Sequence, residues 1–538
     1  MSGLHEFCGV AAAAMFSGAQ GAGEQQKPEA GPSRPAQFAA QGGGESSSVV
    51  QVLYEMLLDL QHRGQLSAGI TTYSRHRSRL LQTHKALGNV GQSLGAAENL
   101  STLRQMDGVC GIGHVRYATC GPDDINYAQP IERLHGRRWK WFAICFNGQI
   151  ANFQELKKQL AEEQSYHLIN ENSDTEALMH YIAYGLRGDR ARPIEEVFAE
   201  LAPQLDGAYS IAIINAEGEV AVVRDPFGFR PMCYGTNGRI WAAASESIAL
   251  SNLGITDIKA LEPGTMAIVR NGRLEVKRFA ESKRKGFCYF EWVYFASAAS
   301  VLDGRSVYMA RKELGRELAR YETVPADAGS IVVPVPDCAK AAADAMAYEL
   351  GIPCVEGLLR NRYVGRTFIE GRGREEKARK KYAPLAEILS GKRVFLVEDS
   401  IVRLTTLRAV LQQMRERGGA REIHVRVTCP PVVGPCFYGI DMSTVSELYA
   451  YKFIPRPIEG RLPQELLARM AADIGADSLF YMPIESVPRC IGLSRDELCM
   501  ACVDTKYLTP WGCRLYEEAI KVAAGAQPAL RTYEAVKG

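Results

Sequence analysis

The segment from Glu398 to Thr406 combines acidic and hydroxyl side chains in a pattern that suits a phosphorylated sugar. The hydrophobic run RVFLV ends in the adjacent acids Glu398 and Asp399. Ser400, Thr405 and Thr406 follow before a predicted helix. Backbone N–H groups at a helix start and hydroxyl donors bind phosphate, while carboxylates bind sugar hydroxyls or a metal ion. The alternative is an ordinary helix cap with solvated acids, and this segment alone favours neither interpretation.

Alternating strands and helices must position these acids in the second half of the chain. Hydrophobic runs at 329–336, 393–397 and 423–427 predict buried strands, and helices are predicted at 339–350 and 405–418. This repeat of strand, loop and helix predicts a parallel sheet of the doubly wound kind. The two acids then lie where the second of these strands ends.

The first half of the chain has a different pattern. Between about 108 and 276, short β-like runs alternate with turns, and amphipathic stretches at 152–163 and 174–185 predict helices. A further helix is predicted from Val49, and its pattern stops at Gly64. Many strands with few helices predict a layered α/β sandwich.

Composition excludes several classes of protein. Of the 538 residues, 46% are hydrophobic and 23% are charged, which is ordinary for a globular chain. The net charge of +2 does not favour a nucleic-acid binder, and no apolar run is long enough to span a bilayer. No Lys or Arg precedes the short apolar run Val10–Phe16, so a secretory signal is not expected. Fourteen scattered cysteines are typical of a protein of the reducing cytoplasm.

Residues 17–48 form a segment of low complexity. They are rich in Gly, Ala, Gln, Pro and Ser and contain almost no large apolar side chain. Such a segment cannot bury enough surface to offset its ordering entropy, so we predict a disordered insertion. It separates the apolar start at Cys8 from the helix that begins near Val49.

The region around the two acids closely resembles the phosphoribosyl diphosphate (PRPP) loop of type I phosphoribosyltransferases. Three further segments narrow this resemblance to the amidophosphoribosyltransferase family. They are NRYVGRTFI at 361–369, PCFYGIDM at 435–442 and FEWVYFA at 290–296. Long strings in the right order make chance a poor explanation.

The first half independently resembles the class II glutamine amidotransferase domain. In chain order, the matching segments are CGV at 8–10, LQHRGQ at 60–65, GHVRY at 113–117, NG at 147–148, SDTE at 173–176 and RDPFGFRP at 224–231. Outside the insertion, the two resemblances together cover nearly the whole chain from Cys8 to about Lys506. The last thirty or so residues resemble no family that we recognise.

For the first half, the resemblance implies a glutaminase with a cysteine nucleophile. Cys8 becomes N-terminal only when residues 1–7 are removed, and its α-amino group is then the base, since such a group titrates near neutral pH. The Asn147 amide and the Gly148 backbone N–H would stabilise the oxyanion on the way to a γ-glutamyl thioester. The residues implied to hold the carboxylate and the ammonium of glutamine are Arg116 and Asp174.

Each of these residues also has a purely structural interpretation. An Arg such as Arg116 is most often part of an ion pair, and Asp174 can cap the helix that follows it. The pair Asn147-Gly148 is typical of a hairpin turn. For each residue taken singly, the structural interpretation is favoured. The ordered set of these residues together with Cys8 instead favours the glutaminase function.

For the second half, the resemblance implies a PRPP site that works with Mg²⁺. Glu398 and Asp399 would bind the ribose hydroxyls and are the candidate Mg²⁺ ligands. Pyrophosphate, bridged by Mg²⁺, leaves as ammonia attacks the ribose C1, and the loop at 361–369 closes and excludes water. The residues implied to hold PRPP are Glu398, Asp399, Ser400, Thr405, Thr406 and Arg366.

Four features depart from the family pattern. Glu398 stands where the family has Asp, Leu404 where it has Gly, and Leu66 where it has an acid. Cys338 and Ala339 replace Ser and Gly in the turn that helps to hold pyrophosphate. Because Gly permits a positive φ or a close backbone approach, Leu404 predicts weak PRPP binding, and Leu404→Gly is predicted to tighten it at least tenfold.

The cysteines raise the question of a metal centre. Some members of the family hold a [4Fe–4S] cluster on four cysteines, and Cys436, Cys499 and Cys502 match three of them. Ile248 stands at the fourth position, for which Cys490 is the candidate substitute. Half of a zinc knuckle and simple buried thiols are the alternatives, and all three interpretations stay open.

The resulting fold class is α/β, with an αββα-type class II glutamine amidotransferase domain before a type I phosphoribosyltransferase domain with a doubly wound parallel sheet. The predicted boundaries are a propeptide at 1–7, these two domains at 8–280 and 287–480, and a Cys-containing helical tail at 481–538.

The leading hypothesis is an enzyme that makes 5-phosphoribosylamine, the first intermediate of purine synthesis, from PRPP and glutamine-derived ammonia. We expect purine nucleotides as inhibitors, a homo-oligomer and a cytoplasmic location. Because the glutaminase residues match the family while the PRPP residues are altered, two alternatives remain. One is a glutaminase that feeds a different phosphosugar acceptor, and the other is a non-catalytic, nucleotide-binding regulatory paralogue.

Overall fold

The computed structural model of the chain describes residues 8–16, 48–117, 124–170, 172–361, 382–442 and 444–525. They fall into two compact units that divide between Lys285 and Gly286. The predicted propeptide and all of the predicted insertion except Ser48 lie outside the described residues. Ser48 itself is ordered, because its Oγ accepts a 3.2 Å hydrogen bond from the Val50 N–H and caps the following helix.

Two antiparallel sheets form the centre of the first unit. Its strands are β1 (Gly9–Met15), β2 (Ser67–Tyr73), β3 (Leu81–Leu87), β4 (Cys110–Arg116), β5 (Ile131–Arg133), β6 (Phe142–Ile150), β7 (Gly207–Asn215), β8 (Val220–Arg224), β9 (Cys233–Thr236), β10 (Ile240–Ala244), β11 (Ile258–Ala260), β12 (Thr265–Arg270) and β13 (Arg273–Arg278). Within the described residues, one sheet has the order β11-β9-β10-β1-β4-β2-β3, and the other has the order β13-β12-β8-β7-β6-β5.

Helices cover the outer faces of these two sheets. They are α1 (Val49–Asp59), α2 (Ala97–Gln105), α3 (Phe153–Glu163), α4 (Asp174–Gly185), α5 (Ile194–Leu201) and α6 (Ile248–Ser251). The apolar face of α1 packs on the sheet that contains β1, and α3, α4 and α5 pack on the other sheet. Between the sheets, small side chains such as Ala12, Ala143 and Ala212 allow close packing. The predicted αββα sandwich is confirmed.

A parallel sheet forms the centre of the second unit. The strands described in this unit are β14 (Phe287–Cys288), β15 (Val301–Leu302), β16 (Arg305–Ser306), β17 (Ser330–Pro334), β18 (Leu358–Arg360), β19 (Tyr382–Pro384), β20 (Arg393–Glu398), β21 (Glu422–Val427), β22 (Ser478–Tyr481) and β23 (Leu498–Cys499). Four of them form the parallel sheet β17-β20-β21-β22. The predicted parallel α/β class is confirmed, because buried apolar runs form these strands and helices separate them.

The helices of the second unit, as far as the structure describes it, include one π-helical turn, Glu291–Phe295. The α-helices are α7 (Val307–Tyr321), α8 (Lys340–Leu350), α9 (Ala386–Leu389), α10 (Thr405–Glu416), α11 (Gln464–Ile474), α12 (Ser486–Ile491), α13 (Ala501–Asp504) and α14 (Pro510–Gly525). Strand β23 pairs in parallel with β14, so the end of the unit is joined to its beginning. No helix in the described ranges combines the length and apolarity needed to cross a membrane.

Packing of α5 on its sheet is expected to contribute strongly to the stability of the first unit. Phe198 is fully buried and its ring meets that of Phe279 edge-on at 5.8 Å. Phe198→Ala should therefore lower the free energy of unfolding of this unit by about 3–5 kcal/mol. Denaturant unfolding, followed by a probe in this unit, measures the effect. Leu134→Ala, at a residue 61% exposed, is the control, and an equal loss for both would contradict the packing argument.

Candidate functional site

Cys8 is held at the start of the central strand of its sheet. It directly precedes β1, which lies between β10 and β4. Its Sγ donates to the Tyr117 carbonyl oxygen at 3.4 Å, and its own carbonyl oxygen accepts from Arg63 Nε at 3.3 Å. The next part of the strand is fixed by the Val10 N–H, which donates to Ser245 Oγ at 3.0 Å. The thiol therefore has a defined position.

Electrostatics keep the Cys8 thiol protonated near neutral pH. Burial raises its pKa above the ordinary value, and the charge of Asp174 adds to the rise. The hydrogen bond to Tyr117 and the positive charges of Arg116 and Arg63 offset this only in part. Because the thiolate is the nucleophile, a cysteine in this environment needs a base beside it.

A buried ion network holds Arg63 in place. Arg63 donates to Glu246 Oε1 at 2.6 Å, and His62 Nε2 lies 2.7 Å from the same oxygen. These two partners outweigh the effect of burial and hold the pKa of Glu246 far below its usual range. The motif QHRGQ thus contributes the Arg63 that contacts Cys8, and Ser245 and Glu246 secure this arrangement.

Asn147 and Gly148 lie within strand β6, so the hairpin alternative is wrong. Gly148 has φ +155°, and a Cβ there would lie 2.0 Å from the Ala208 carbonyl oxygen, so only glycine fits. The Asn147 side chain is fully buried. Neither its Oδ1 nor its Nδ2 has a hydrogen-bond partner among the described residues. An amide in this state is free to bind a ligand.

The backbone of β6 directs a further donor to one edge of the strand. The Phe146 N–H donates to Gln129 Oε1 at 2.6 Å, and the Ile150 N–H donates to Asp174 Oδ2 at 3.4 Å. Alternate residues of a strand direct their N–H groups to the same edge. The Gly148 N–H therefore lies between these two on the edge that faces Asp174.

Arg116 and Asp174 supply the charges that a zwitterionic ligand needs. Arg116 is the buried last residue of β4, and its guanidinium lies 5.6 Å from the Tyr127 ring centroid. Asp174 is the first residue of α4, but Ser173 is the residue that caps this helix, accepting from the Glu176 N–H at 3.1 Å. The capping alternative for Asp174 is therefore wrong.

Asp174 is buried, and its ionised form is destabilised. Burial raises its pKa to about 6, although hydrogen bonds from the Ile150 and Thr175 N–H groups and the Thr175 hydroxyl lower it. A ligand ammonium beside the carboxylate would favour the ionised form. The site can thus recognise an α-amino group as well as a carboxylate.

One pocket contains most of these groups. It is lined by Cys8, Arg116, Tyr117, Tyr127, Gln129, Phe146, Gly148, Ser173, Asp174 and Thr175. A nucleophile, oxyanion donors, a guanidinium and a carboxylate around one cavity can bind an α-amino acid and attack its side-chain carbonyl. Tyr127 and Gln129 were not predicted from the sequence to line this pocket, because they lie outside the segments that resemble the family.

The acid pair of the second unit lies at the carboxyl end of β20, an inner strand of the parallel sheet. Glu398 and Asp399 are each only 1% exposed. Asp399 Oδ1 accepts from Ser400 Oγ at 2.8 Å, whereas its Oδ2 is buried with no hydrogen-bond partner in the described ranges. Burial first, and then the charge of Glu398, raise the pKa of Asp399 to about 7.

This acid pair fits both a sugar and a magnesium ion. An unpaired, buried carboxylate oxygen is satisfied by a hydroxyl donor or by a cation. Mg²⁺ is usually bound through one or two carboxylates together with substrate phosphates. Glu398 and Asp399 are sufficient for such a site.

The backbone at the two positions where the family has glycine is unstrained. Leu404 caps α10 with φ −83° and ψ −18°, and Ala339 caps α8 with φ −76° and ψ −8°. Both conformations lie in the right-handed region that any residue adopts. Leu404 therefore needs no positive φ in this structure, and its effect on the close approach of a phosphate stays a prediction.

Several predicted residues of the PRPP site are not described in full. Thr405 and Thr406 form the first turn of α10, but the structure does not describe their side chains. Arg366, with residues 362–381 as a whole, lies outside the described residues.

The candidate cluster cysteines do not fit a four-cysteine centre. Cys436, Cys499 and Cys502 are near enough for their charges to interact, and burial raises the pKa of Cys499 and Cys502. Cys490 lies in α12, beside Arg489 and close to Glu317. Among the described residues, no group of three or more His, Cys, Asp or Glu side chains is arranged to hold a metal ion.

The fold and the two sites define a class II glutamine amidotransferase unit followed by a phosphoribosyltransferase unit. A glutamine amidotransferase domain family matches residues 114–252. The amidophosphoribosyltransferase of Methanothermobacter thermautotrophicus is 38% identical over 87% of this chain and 92% of its own length. That of Bacillus subtilis is 36% identical over 87% of this chain and 93% of its own length. The chain belongs to the amidophosphoribosyltransferase family.

Solved structures agree with this assignment. The structure of glutamine phosphoribosylpyrophosphate amidotransferase from B. subtilis, complexed with ADP and GMP, has a TM-score of 0.76 and 33% identity. The aligned part covers 94% of this chain and 98% of the chain in that structure. A structure described as that of the allosteric regulatory enzyme of purine biosynthesis also has a TM-score of 0.76, with 34% identity. The aligned part covers 93% of this chain and 96% of the chain in that structure.

Glutamine binding should depend on the ionisation of Asp174. Because its pKa is raised to about 6, protonation below that pH removes the negative charge that faces the ligand ammonium. In a chain that starts at residue 8 with Cys8→Ala, the Kd for glutamine should rise about tenfold per pH unit below pH 6. Calorimetric titration from pH 5 to 8 measures this. Asp174→Asn should bind weakly at every pH, and a flat profile in the parent would contradict the assignment.

Substituting glycine for Leu404 should change PRPP affinity little. Its ordinary backbone angles require no glycine, so Leu404→Gly should shift the Kd for PRPP with Mg²⁺ by less than about threefold. Calorimetric titration measures this shift. Asp399→Asn, which removes the unpaired carboxylate, is the positive control and should weaken binding at least about tenfold. A tenfold tightening in Leu404→Gly would restore the original expectation.

Proposed function

We propose that this chain makes 5-phosphoribosylamine from PRPP and ammonia released from glutamine. The observation that carries this proposal is the buried Asn147 amide without a partner among the described residues, in the strand whose neighbouring residues Phe146 and Gly148 line the pocket of Cys8. Such an amide is costly to keep unless a ligand or transition state uses it. Family membership and the acid pair at the end of β20 support the transferase half.

The first step is the hydrolysis of glutamine. Arg116 binds the substrate carboxylate and Asp174 binds its ammonium, which directs the side-chain amide to Cys8. The Cys8 α-amino group, freed by removal of residues 1–7, takes the thiol proton as sulfur bonds to the amide carbon. Asn147 and the Gly148 N–H stabilise the oxyanion. The C–N bond breaks, the amino group returns the proton to the leaving ammonia, and water cleaves the thioester to glutamate and free thiol.

The second step transfers ammonia to the sugar. The ammonia nitrogen bonds to the ribose C1 as the bond from C1 to pyrophosphate breaks, and the new ammonium then loses a proton. Glu398 and Asp399 bind the ribose hydroxyls and would hold Mg²⁺, which would supply positive charge to offset that of the pyrophosphate. The other groups proposed to bind PRPP are Ser400, Thr405, Thr406 and Arg366.

Separating the two ammonia sources tests this function. With PRPP and Mg²⁺, the processed enzyme should release pyrophosphate with either glutamine or ammonium chloride as the nitrogen donor. Cys8→Ala should lose the glutamine-dependent rate by at least about 10³-fold, since the nucleophile is gone, and keep the ammonia-dependent rate. Asp399→Asn should lower both rates and spare glutaminase activity.

The outcomes of this experiment distinguish the alternatives. Glutaminase activity without pyrophosphate release from either donor would favour a different phosphosugar acceptor. Loss of both activities in the processed parent, with nucleotide binding retained, would favour a regulatory paralogue. Full activity with residues 1–7 still attached would contradict the proposed nucleophile.

Several further properties follow from the same proposal. We propose working boundaries of 8–280 and 287–480 for the two domains, with a tail at 481–538. Purine nucleotides are proposed as inhibitors, supported by the relative of known structure that was complexed with ADP and GMP. We also propose a homo-oligomer, which size-exclusion chromatography with light scattering tests. Free thiols at every described cysteine support the reducing cytoplasm as its location.

A further inference from the structure

Gln129 links the two sides of the glutamine pocket through its side-chain amide. It is 5% exposed and lines the pocket. Its Oε1 accepts from the Phe146 N–H at 2.6 Å, and its Nε2 lies 3.2 Å from Thr175 Oγ1. Phe146 precedes the oxyanion residue Asn147, and Thr175 follows Asp174. One side chain thus connects the strand that stabilises charge to the helix that binds the substrate.

The direction of these hydrogen bonds is determined by chemistry. A backbone N–H can only donate, so the oxygen of the Gln129 amide must face Phe146. The amide NH₂ then faces Thr175 and can only donate, so Thr175 Oγ1 accepts. A hydroxyl has a single proton, and the Thr175 proton is therefore free to be donated to Asp174. The Thr175 side chain lowers the pKa of the Asp174 carboxyl, as a donor beside an ionised carboxylate does.

Strand β6 needs this side chain because its ladder with β5 is short. The paired residues end with Ile131 opposite Ile144. Continued by two residues, the same register would set Gln129 opposite Phe146, where the side-chain oxygen of Gln129 takes the place of a backbone acceptor. On its other edge, β6 pairs with β7 along its whole length. Gln129 thus secures β6 where the strand leaves the ladder and the pocket begins.

We propose that Gln129 is a positioning residue for glutamine hydrolysis, which aligns Asn147 through Phe146 and keeps the Thr175 hydroxyl donating to Asp174. The inference rests on the proposed glutaminase function and adds a residue to it. Gln129 acts through its neighbours and transfers no proton. Its defining property is the polarity of its two ends, a donor and an acceptor, rather than its volume.

An isosteric variant changes this polarity alone. Gln129→Glu keeps the acceptor for the Phe146 N–H but replaces the donor that faces Thr175 with a second acceptor. The Thr175 hydroxyl would then donate to the introduced carboxylate instead of Asp174, and a negative charge would be added beside Asp174. Both changes disfavour the ionised Asp174. The other titratable groups that line the pocket, Cys8, Arg116, Tyr117 and Tyr127, stay the same.

The test compares glutamine-dependent and ammonia-dependent activities across pH. In Gln129→Glu, the acid limb of the kcat/KM profile should move up by about one pH unit, so that the KM for glutamine at about pH 5.5 should rise roughly five- to tenfold while the KM at pH 7.5 changes little. The ammonia-dependent rate should stay within about twofold of the parent's, and the unfolding midpoint within about 2 °C, as for a neutral substitution. Gln204→Glu, at an exposed glutamine of the same unit, is the matched control and should behave like the parent.

A second pair of variants tests the link at Thr175 without a new charge. Thr175→Val removes the hydroxyl and should shift the acid limb in the same direction by a smaller amount, while Thr175→Ser should restore the parent profile. In the Thr175→Val background, the part of the Gln129→Glu effect that acts through the hydroxyl should vanish. This pair decides the proposal if Gln129→Glu does not fold.

Specific outcomes would overturn the inference. An unchanged KM and pH profile in Gln129→Glu, or equal profiles for Thr175→Val and Thr175→Ser, would show that bond polarity is irrelevant. Parallel losses of glutamine-dependent rate, ammonia-dependent rate and unfolding midpoint would show a purely structural role. A parent enzyme that hydrolyses no glutamine would instead overturn the proposed function on which the inference rests.

Discussion

The removal of water from acidic side chains is the constraint on which both sites depend. Burial raises the pKa of Asp174 to about 6, so its ionised form costs the folded chain about 3 kcal/mol at neutral pH. This cost is absent below about pH 4, the pKa of the unfolded chain, because the carboxyl is then protonated in both states and full stability is kept. That stability is lost as the pH rises through about 6, the pKa in the folded chain. In the proposed glutaminase, the substrate ammonium would supply the missing counter-charge. Asp399, with a pKa raised to about 7, has the same need for a ligand.

Glu246 shows why burial alone does not indicate a binding site. It is as deeply buried as Asp174, yet Arg63 and His62 neutralise it, and its pKa falls instead of rising. A buried acid that the protein pairs internally is structural and supports its neighbours, here the contact of Arg63 with Cys8. A buried acid that has no basic side chain within ion-pair distance in the described ranges, such as Asp174, is available to substrate.

The sequence predicted the elements and the site residues that lie in contiguous motifs. Helix α4 spans the predicted 174–185, and β20 extends the predicted strand by one residue, because long apolar periodicity determines both. Gln129 was missed because its role depends on contacts 17 and 46 residues away along the chain. The effect of Leu404 could not be judged from the glycine in relatives alone, because that glycine permits either a positive φ or a close approach, and the backbone at Leu404 is right-handed.

The proposed oxyanion site lies where one edge of a strand has no partner strand among the described residues. Strand β6 keeps a complete ladder with β7, and this rigid pairing fixes Gly148 so closely that no side chain fits. On the opposite edge the ladder with β5 ends at Ile144, and the N–H groups of alternate residues then bond to side chains or face the pocket. An unpaired strand edge is normally a liability that proteins cover. Here one side of the strand supplies rigidity, and the other side leaves the Gly148 N–H for the proposed chemistry, so the two requirements do not compete.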